Sequence, residues 1–169
     1  MKWISHMAIA GATTAIIAPQ LVPFAVLGST APDWSEKFLQ KQHRQETHYV
    51  IIWLALTAFF LFVWDFKHIG LAFAYGGLSH VLLDSLTVSG VPFAPWSQNR
   101  FHLFGGRLKT GSSAEYMIAG GVVIISIIAF QHFNTSASGY IPFFFNWIEF
   151  YEDGLLDAKE WKNNRFKWL

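Results

Sequence analysis

The chain contains no cysteine, which excludes disulfides, thiolate nucleophiles and zinc–cysteine sites. Charged residues are scarce as well, at 14% of the chain, whereas a typical soluble domain has about a quarter. The formal net charge is only +1, which argues against a basic nucleic-acid-binding surface and against an acidic tail. Any bound metal ion must therefore use histidine and carboxylate ligands, which favours zinc, manganese, iron or magnesium.

Apolar residues, in contrast, make up 53% of the chain, with eight tryptophans and seventeen phenylalanines. This composition predicts an all-α, multi-pass membrane helical bundle. Apolar runs at residues 49–64, 69–86 and 116–130 predict three long spans. Residues 1–133 would form the membrane-embedded helical domain, with a metal site at one face. Residues 134–169 would form an aromatic interfacial segment and a charged C-terminal tail.

The apolar stretch before residue 31 is interrupted by Pro19 and Pro23. It fits either a single kinked span or a helical hairpin that turns at the two prolines. A straight helix over this stretch would be nearly 40 Å long, more than a ~30 Å hydrocarbon core requires. Two closely spaced prolines also disfavour a continuous helix, so we favour the hairpin. The hairpin would bring His6 to the same side as Asp33.

His80 and Asp84 are four residues apart in an apolar run, so they project from one face of a predicted helix. Ionisable side chains are costly in a membrane and need a partner there. When the predicted elements fold back and forth, Asp33, His48 and Glu115 reach the same membrane face as this pair. The connectivity therefore predicts a cluster of histidine and carboxylate groups at one depth.

Such a cluster is typical of a hydrolytic metal site with an open ligand position for water. We expect one or two divalent ions, with zinc or manganese the first candidates. Arginine and lysine side chains near the same face would bind phosphate oxygens, and a histidine or glutamate would transfer a proton. The predicted catalytic residues are His43, Arg44, Arg107, Lys109 and Glu115.

Four motifs resemble the membrane-bound metal-dependent hydrolase family typified by YdjM: Ser5-His6, Gly28-Ser-Thr-Ala-Pro-Asp33, His43-Arg-x-x-Thr-His48 and Gly77-Leu-Ser-His80-x-x-Leu-Asp84. The resemblance implies a multi-pass protein of the bacterial inner membrane with hydrolase activity. It also implies metal ligation by His6, Asp33, His48, His80 and Asp84. The family usually has Pro-Asp-x-Asp, but Trp34 and Ser35 follow Asp33 here, so a second carboxylate is missing and the case for two ions weakens.

The leading functional hypothesis is metal-dependent hydrolysis of a phosphoester in a phospholipid or a lipid-linked phosphate. The expected partners are membrane lipids and a phosphate-containing substrate, and no nucleic acid. One alternative is a metal or proton permease, which requires a polar path across the bilayer. No ionisable residue lies in the middle of residues 49–64 or 116–130, which counts against it. The other alternative is a structural membrane protein with a buried His/Asp cluster and no metal.

Overall fold

The computed structural model describes residues 1–40, 45–97 and 99–133, and these form an almost entirely helical fold. Two very short antiparallel strands lie in the connection between the last two helices. The predicted aromatic segment and charged tail, residues 134–169, lie outside the described residues. The elements are α1 Trp3–Ile17, α2 Val22–Leu39, α3 Val50–Phe62, α4 Ile69–Ser85, β1 Val91–Pro92, β2 Arg100–Phe101 and α5 Ser113–Phe133.

The N-terminal region is a helical hairpin, as favoured from the sequence, and not a single kinked span. Helix α1 ends at Ile17, a 3₁₀ turn Pro19–Leu21 reverses the chain, and α2 packs back along α1. Both prolines stand at the start of a helical segment. A missing N–H is harmless there because the first helical N–H groups lack intrahelical partners anyway.

Helix α2 continues further than the sequence indicated, because the helix includes Pro32 and runs on to Leu39. Asp33 therefore lies inside the helix. Pro32 removes one main-chain hydrogen bond. The residue is fully buried, and the helix around it packs against α4, so tertiary contacts offset that loss.

The helices pack side by side in an order that differs from their order in the chain. Helix α4 packs against both α2 and α3, whereas α1 packs against α2 and α5. One apolar core, around Trp53 and Val81, joins α3 and α4, and a second, around Ile9 and Ala119, joins α1 and α5. This arrangement brings the starts of α1, α3 and α5 to the same end of the bundle as the last turn of α4.

The predicted three long spans are not confirmed. Within the described part of the chain, one helix is long and apolar enough to cross a membrane, at Ser113–Gln131. Helix α3 has 13 residues and so measures about 20 Å, short of a ~30 Å hydrocarbon core. Helix α4, with 17 residues, is also short of that length. The bounds of both helices lie within two residues of the predicted apolar runs, so the runs themselves are shorter than a full span.

Helices α2 and α4 approach each other closely because each has a glycine at the crossing. A Cβ atom at Gly28 would overlap the carbonyl oxygen of Phe73, and a Cβ at Gly76 would overlap that of Ala25. Main-chain atoms therefore meet directly across the contact. This close approach places the side chains of α2 and the last turn of α4 around a common point.

Candidate metal centre

The five ligand positions implied by the sequence converge on one buried site. His6 comes from α1, Asp33 from α2, and His48 from a 3₁₀ turn, Glu46–His48, just before α3. His80 and Asp84 come from the last turns of α4. All three imidazoles and Asp84 are buried, whereas the side chain of Asp33 is about 13% exposed.

Two groups of three ligand atoms in this cluster could hold a metal ion. His6, His80 and Asp84 form one group, and Asp33, His48 and His80 form the other. The atoms of each group lie within 4.8 Å of one another. His80 belongs to both groups, so the cluster is continuous. Its ring stacks on that of His6, with 3.8 Å between the ring centroids.

The separations between histidine nitrogens and aspartate oxygens in the cluster are longer than those of ordinary hydrogen bonds. His6 Nε2 lies 3.3 Å from Asp84 Oδ1, and His80 Nε2 lies 3.8 Å from Asp84 Oδ2. On the other side, Asp33 Oδ1 is 3.3 Å from His48 Nε2 and 3.6 Å from His80 Nε2. N–H···O hydrogen bonds are usually 2.7–3.2 Å long, so this spacing leaves room for an atom between the groups.

The orientation of His80 is set by a main-chain contact. Its Nδ1 lies 2.6 Å from the carbonyl oxygen of Ser29, so Nδ1–H donates to that oxygen. This tautomer leaves Nε2 with its lone pair facing the cluster. Among the described residues, neither His80 Nε2 nor either ring nitrogen of His6 makes a hydrogen bond. Buried polar atoms without hydrogen bonds are rare, and a metal ion would satisfy them.

His48 is oriented by a carboxylate that the sequence reasoning did not include. Its Nδ1 lies 2.8 Å from Glu36 Oε1, and the hydroxyl of Thr47 donates to the same oxygen at 3.2 Å. The Nδ1–H of His48 therefore points at Glu36, and its Nε2 faces Asp33. Metal-binding histidines are commonly held in this way by a carboxylate behind the ring.

Glu36 is one helical turn beyond Asp33, at a spacing that puts both carboxylates on one helix face. The absence of Pro-Asp-x-Asp had suggested that a second carboxylate was missing. The structure corrects this, because Glu36 brings a carboxylate to the same region and contacts a predicted ligand. The i, i+3 spacing was the signal that could have identified it.

We expect Glu36→Gln to weaken metal binding by about 10- to 100-fold, the usual effect of losing a carboxylate behind a ligand histidine. The amide has no negative charge to polarise the Nδ1–H of His48. A chelator-competition titration of the purified protein would measure the affinity. Glu46→Gln is the matched control, since Glu46 is an exposed carboxylate in the 3₁₀ turn that carries His48. Equal affinities in the two variants would contradict a supporting role for Glu36.

Helix α3 supports His48 through a tryptophan. Trp53 Nε1 donates to the carbonyl oxygen of Thr47 at 2.8 Å, and a Cβ at Gly77 would overlap the Trp53 ring. The ring therefore lies against α4 at Gly77, three residues before His80. In this way one side chain connects the turn that carries His48 to the helix that carries His80.

The N-terminal segment closes the cluster on the side of α1. The α-amino group of Met1 contacts Asp84 Oδ1, and Trp3 Nε1 donates to Asp33 Oδ2. The ammonium group of Lys37 lies over the Trp3 ring, 5.3 Å from a ring centroid. Trp3 and Lys37 are exposed, so the Asp33 side of the cluster faces the outside of the protein.

Glu115 lies beside the cluster and holds the N-terminal segment in place. Its Oε1 accepts hydrogen bonds from the Lys2 N–H at 2.7 Å and the Ser5 hydroxyl at 2.6 Å, and its Oε2 accepts one from the Gly111 N–H at 2.7 Å. The residue is fully buried. These contacts position the start of α1, and hence His6. The proton-transfer role expected from the sequence stays a prediction.

Arg107 and Lys109 lie at the cluster end of the bundle. They flank Leu108, whose N–H and carbonyl pair with Leu86 and Val88, just after α4 ends. Both side chains are exposed, so they could contact a molecule that approaches this end. The other two predicted catalytic residues, His43 and Arg44, lie outside the described residues.

These features define a helical protein with a buried His/Asp cluster at one end of its bundle and one membrane-length helix. The chain belongs to the YdjM inner membrane protein family, whose model matches residues 1–145. The family resemblance is thereby confirmed, and the family is one of the inner membrane. The description of this family names no enzymatic activity. Searches of curated proteins and of solved structures found no significant match.

Proposed function

We propose that this protein is a metal-dependent hydrolase that cleaves a phosphoester of a lipid or a lipid-linked phosphate. The spacing of the donor atoms in the cluster carries the proposal. Two ligand atoms about 2.1 Å from one tetrahedral ion lie about 3.4 Å apart. The four histidine–aspartate separations in the structure, between 3.3 and 3.8 Å, bracket that value.

The sharing of His80 favours one ion over two. Its Nδ1 is committed to Ser29, so the residue has a single nitrogen to offer. A nitrogen lone pair binds one metal ion, and both groups of candidate ligands need this nitrogen. Three imidazoles and two carboxylates are then available to one ion, a donor set that suits zinc or manganese. When bound, such an ion polarises a phosphoryl oxygen and lowers the pKa of water to about 7.

The surface next to the cluster suits an anionic substrate held at a membrane interface. Lys37, Arg107 and Lys109 are exposed at this end, and cations of this kind bind phosphate oxygens. Trp3 and Trp34 are exposed here too, and tryptophans of membrane proteins concentrate at the level of the lipid headgroups. A lipid phosphate at that level would meet Asp33, the most exposed ligand, first.

A metal-free ion-pair cluster explains the geometry less well. Ion pairs in a buried site stabilise a protein only when the geometry is close and the remaining polar atoms are hydrogen-bonded. Here the contacts of His80 with the two aspartates are 3.6 and 3.8 Å long. His6 makes no hydrogen bond within the described part of the chain. A metal ion between these groups would account for the long contacts of His80 and would bind a nitrogen of His6.

The decisive experiment measures phosphate release by the purified full-length protein in mixed micelles. The protein would be loaded with Zn²⁺ or Mn²⁺ and offered phosphatidic acid, phosphatidylglycerol phosphate and a polyprenyl diphosphate in turn. We expect release from at least one of them, dependent on the added metal and abolished in His80→Ala. Metal-loaded protein that releases no phosphate from any of the three would contradict the proposal.

We expect Arg107→Ala and Lys109→Ala each to raise the KM for the phosphate substrate by about 10-fold, with metal content unchanged. Each substitution removes one charge-assisted hydrogen bond to phosphate, and such a bond contributes about 1.5–3 kcal/mol. Steady-state kinetics and metal analysis of the same preparations would separate the two effects. Lys67→Ala is the control, because Lys67 lies at the other end of the bundle. A KM unchanged in both variants would exclude these side chains from substrate binding.

A further inference from the structure

The α4–α5 segment, residues 88–112, exposes large apolar side chains at the end of the bundle that holds the metal centre. It begins directly after the last turn of α4, which carries His80 and Asp84. Phe104 is 88% exposed and Trp96 is 74% exposed. A single exposed apolar side chain is ordinary in proteins. The backbone conformation and the charges around these two residues therefore decide whether the exposure has a function.

Phe104 is held outward in a strained conformation. Its φ of 49° and ψ of 30° lie in the left-handed region, which is uncommon for a residue with a bulky side chain. Such strain persists only where the surrounding structure fixes it, and it concentrates at functional sites. The described fold gains no buried side chain from this strain, which indicates that Phe104 makes its contact with another molecule.

The ring of His102 fixes the Phe104 turn to the bundle. Its Nδ1 lies 3.3 Å from the carbonyl oxygen of Thr87, two residues after α4 ends. A Cβ atom at Gly90 or at Gly106 would overlap this ring, and both glycines have positive φ, 58° and 60°. Side chains other than glycine rarely adopt such conformations. The two glycines thus make room for the imidazole, and the turn is held in place beside the end of α4.

The charge of the α4–α5 segment is positive. The segment contains three cationic side chains and no aspartate or glutamate, the cations being Arg100, Arg107 and Lys109. The nearest carboxylates along the chain, Asp84 and Glu115, are buried. Arg100 is exposed and donates to the carbonyl oxygen of Gly90 at 3.3 Å, so a main-chain contact sets its position. This charge is complementary to an anionic surface.

The start of α5 indicates where the α4–α5 segment lies relative to a membrane. The membrane-length stretch of α5, Ser113–Gln131, has 19 residues and so measures about 28 Å. A helix of this length crosses a ~30 Å hydrocarbon core from one of its ends to the other. The segment ends at residue 112, so a membrane crossed by α5 would have its headgroups at this segment. Aromatic residues of membrane proteins concentrate at that level.

We infer that the α4–α5 segment binds the surface of an anionic lipid bilayer, with Phe104 among the upper acyl chains and Arg100 at the phospholipid headgroups. The positive charge favours an anionic partner, and the position of α5 makes that partner the bilayer. The inference goes beyond the proposed hydrolase function and does not rest on it. The contact would hold the metal-centre end of the bundle at the membrane surface whether or not a metal ion is bound.

The test places one fluorescent label at the tip of the turn, which the absence of cysteine in the chain makes straightforward. Phe104→Cys would carry bimane, a small apolar fluorophore, in the full-length protein reconstituted without added metal. The bilayer contains equal amounts of phosphatidylglycerol and phosphatidylcholine, and in parallel samples one or the other has bromine atoms high in its acyl chains. Bromine quenches bimane on contact. We expect phosphatidylglycerol to be preferred at least about fivefold, as one cation at a membrane surface supplies.

The matched control carries the same label at Glu46→Cys. Glu46 is also exposed near the metal centre, but it belongs to the 3₁₀ turn before α3. Iodide, which stays in water, should quench bimane at position 46 strongly, and brominated lipid should quench it weakly. The order of the two quenchers should be reversed at position 104.

Three further variants of the labelled protein test the headgroup contact. Arg100→Gln should lower the preference for phosphatidylglycerol by about fivefold, the contribution of one cation. Arg100→Lys should keep most of that preference. Lys67→Gln should leave it unchanged, because Lys67 lies at the other end of the bundle. Gel filtration and denaturant unfolding would show that each variant is folded.

Three results would overturn the inference. Iodide quenching as strong at position 104 as at position 46 would place the turn in water. A label protected from both quenchers would mean that protein, from this chain or a second copy, covers the turn. Equal quenching by the two lipids, unchanged in Arg100→Gln, would exclude the headgroup contact. Because the measurement needs no metal, failure of this inference and failure of the hydrolase proposal can be told apart.

Discussion

Replacing His80 by alanine is expected to remove the bound metal and, with it, the phosphate-releasing activity. His80 provides the nitrogen that both groups of candidate ligands share, so its loss breaks both at once. Losing a supporting residue behind a metal ligand typically costs 10- to 100-fold in affinity, and a shared ligand should cost at least about a hundredfold. We expect the metal content to fall from about one ion per chain to a small fraction, and activity to fall at least about a thousandfold.

Elemental analysis of the purified protein after gel filtration would measure this effect, together with a hydrolysis assay on the same sample. His68→Ala is the matched control, since His68 lies at the start of α4, about three turns before His80. The double variant of His80 and Asp84 to alanine should show no metal at all. Stoichiometric metal in that double variant would show that the ion, if any, binds elsewhere.

Replacing Gly76 by alanine is expected to destabilise the whole bundle by about 3 kcal/mol, the upper part of the usual range for an overpacked core. The added methyl group would overlap the carbonyl oxygen of Ala25, which belongs to main chain and cannot rotate away. Helices α2 and α4 would have to separate. The same movement would pull Ser29 and Asp33 away from His80, so metal affinity should fall together with stability.

The matched control is Gly120→Ala on α5, where an added Cβ meets no atom within 4 Å. There the change should be within about 1 kcal/mol, in the direction of the higher helix propensity of alanine. Denaturant unfolding monitored by tryptophan fluorescence would compare the two variants. If Gly76→Ala and Gly120→Ala were equally stable and bound metal equally well, the close crossing of α2 and α4 would not organise the site.

Much of the site was predictable because its residues repeat at helical spacing. The i, i+4 spacing of His80 and Asp84 indicated a shared helix face, and the structure places both in the cluster. The back-and-forth path of the chain indicated that His48 and Asp33 would join them. The two prolines indicated the hairpin that brings in His6. These inferences used the spacing of residues along a helix, the position of prolines and the order of the helices in the chain, all of which can be read from the sequence.

Other features escaped prediction because they depend on distant contacts. The helix through Pro32 persists because α4 packs against it, and no local signal reports that packing. Glu36 became visible as a carboxylate of the site only when α2 was seen to continue past Asp33. The apolar runs located α3 and α4 within two residues at each end, but neither helix is long enough for the full span that we had expected.

The sequence by itself determined the chemistry of this protein: imidazole and carboxylate groups without thiolates, on apolar helices, in a chain of the YdjM inner membrane protein family. The tertiary structure decided which nitrogen of His80 and of His48 faces the cluster, and that Glu36 is the carboxylate in contact with His48. The physical reason is that residue spacing sets which side chains share a helix face. The distances between helices, however, depend on contacts such as those of Gly28 and Gly76, which no local pattern specifies.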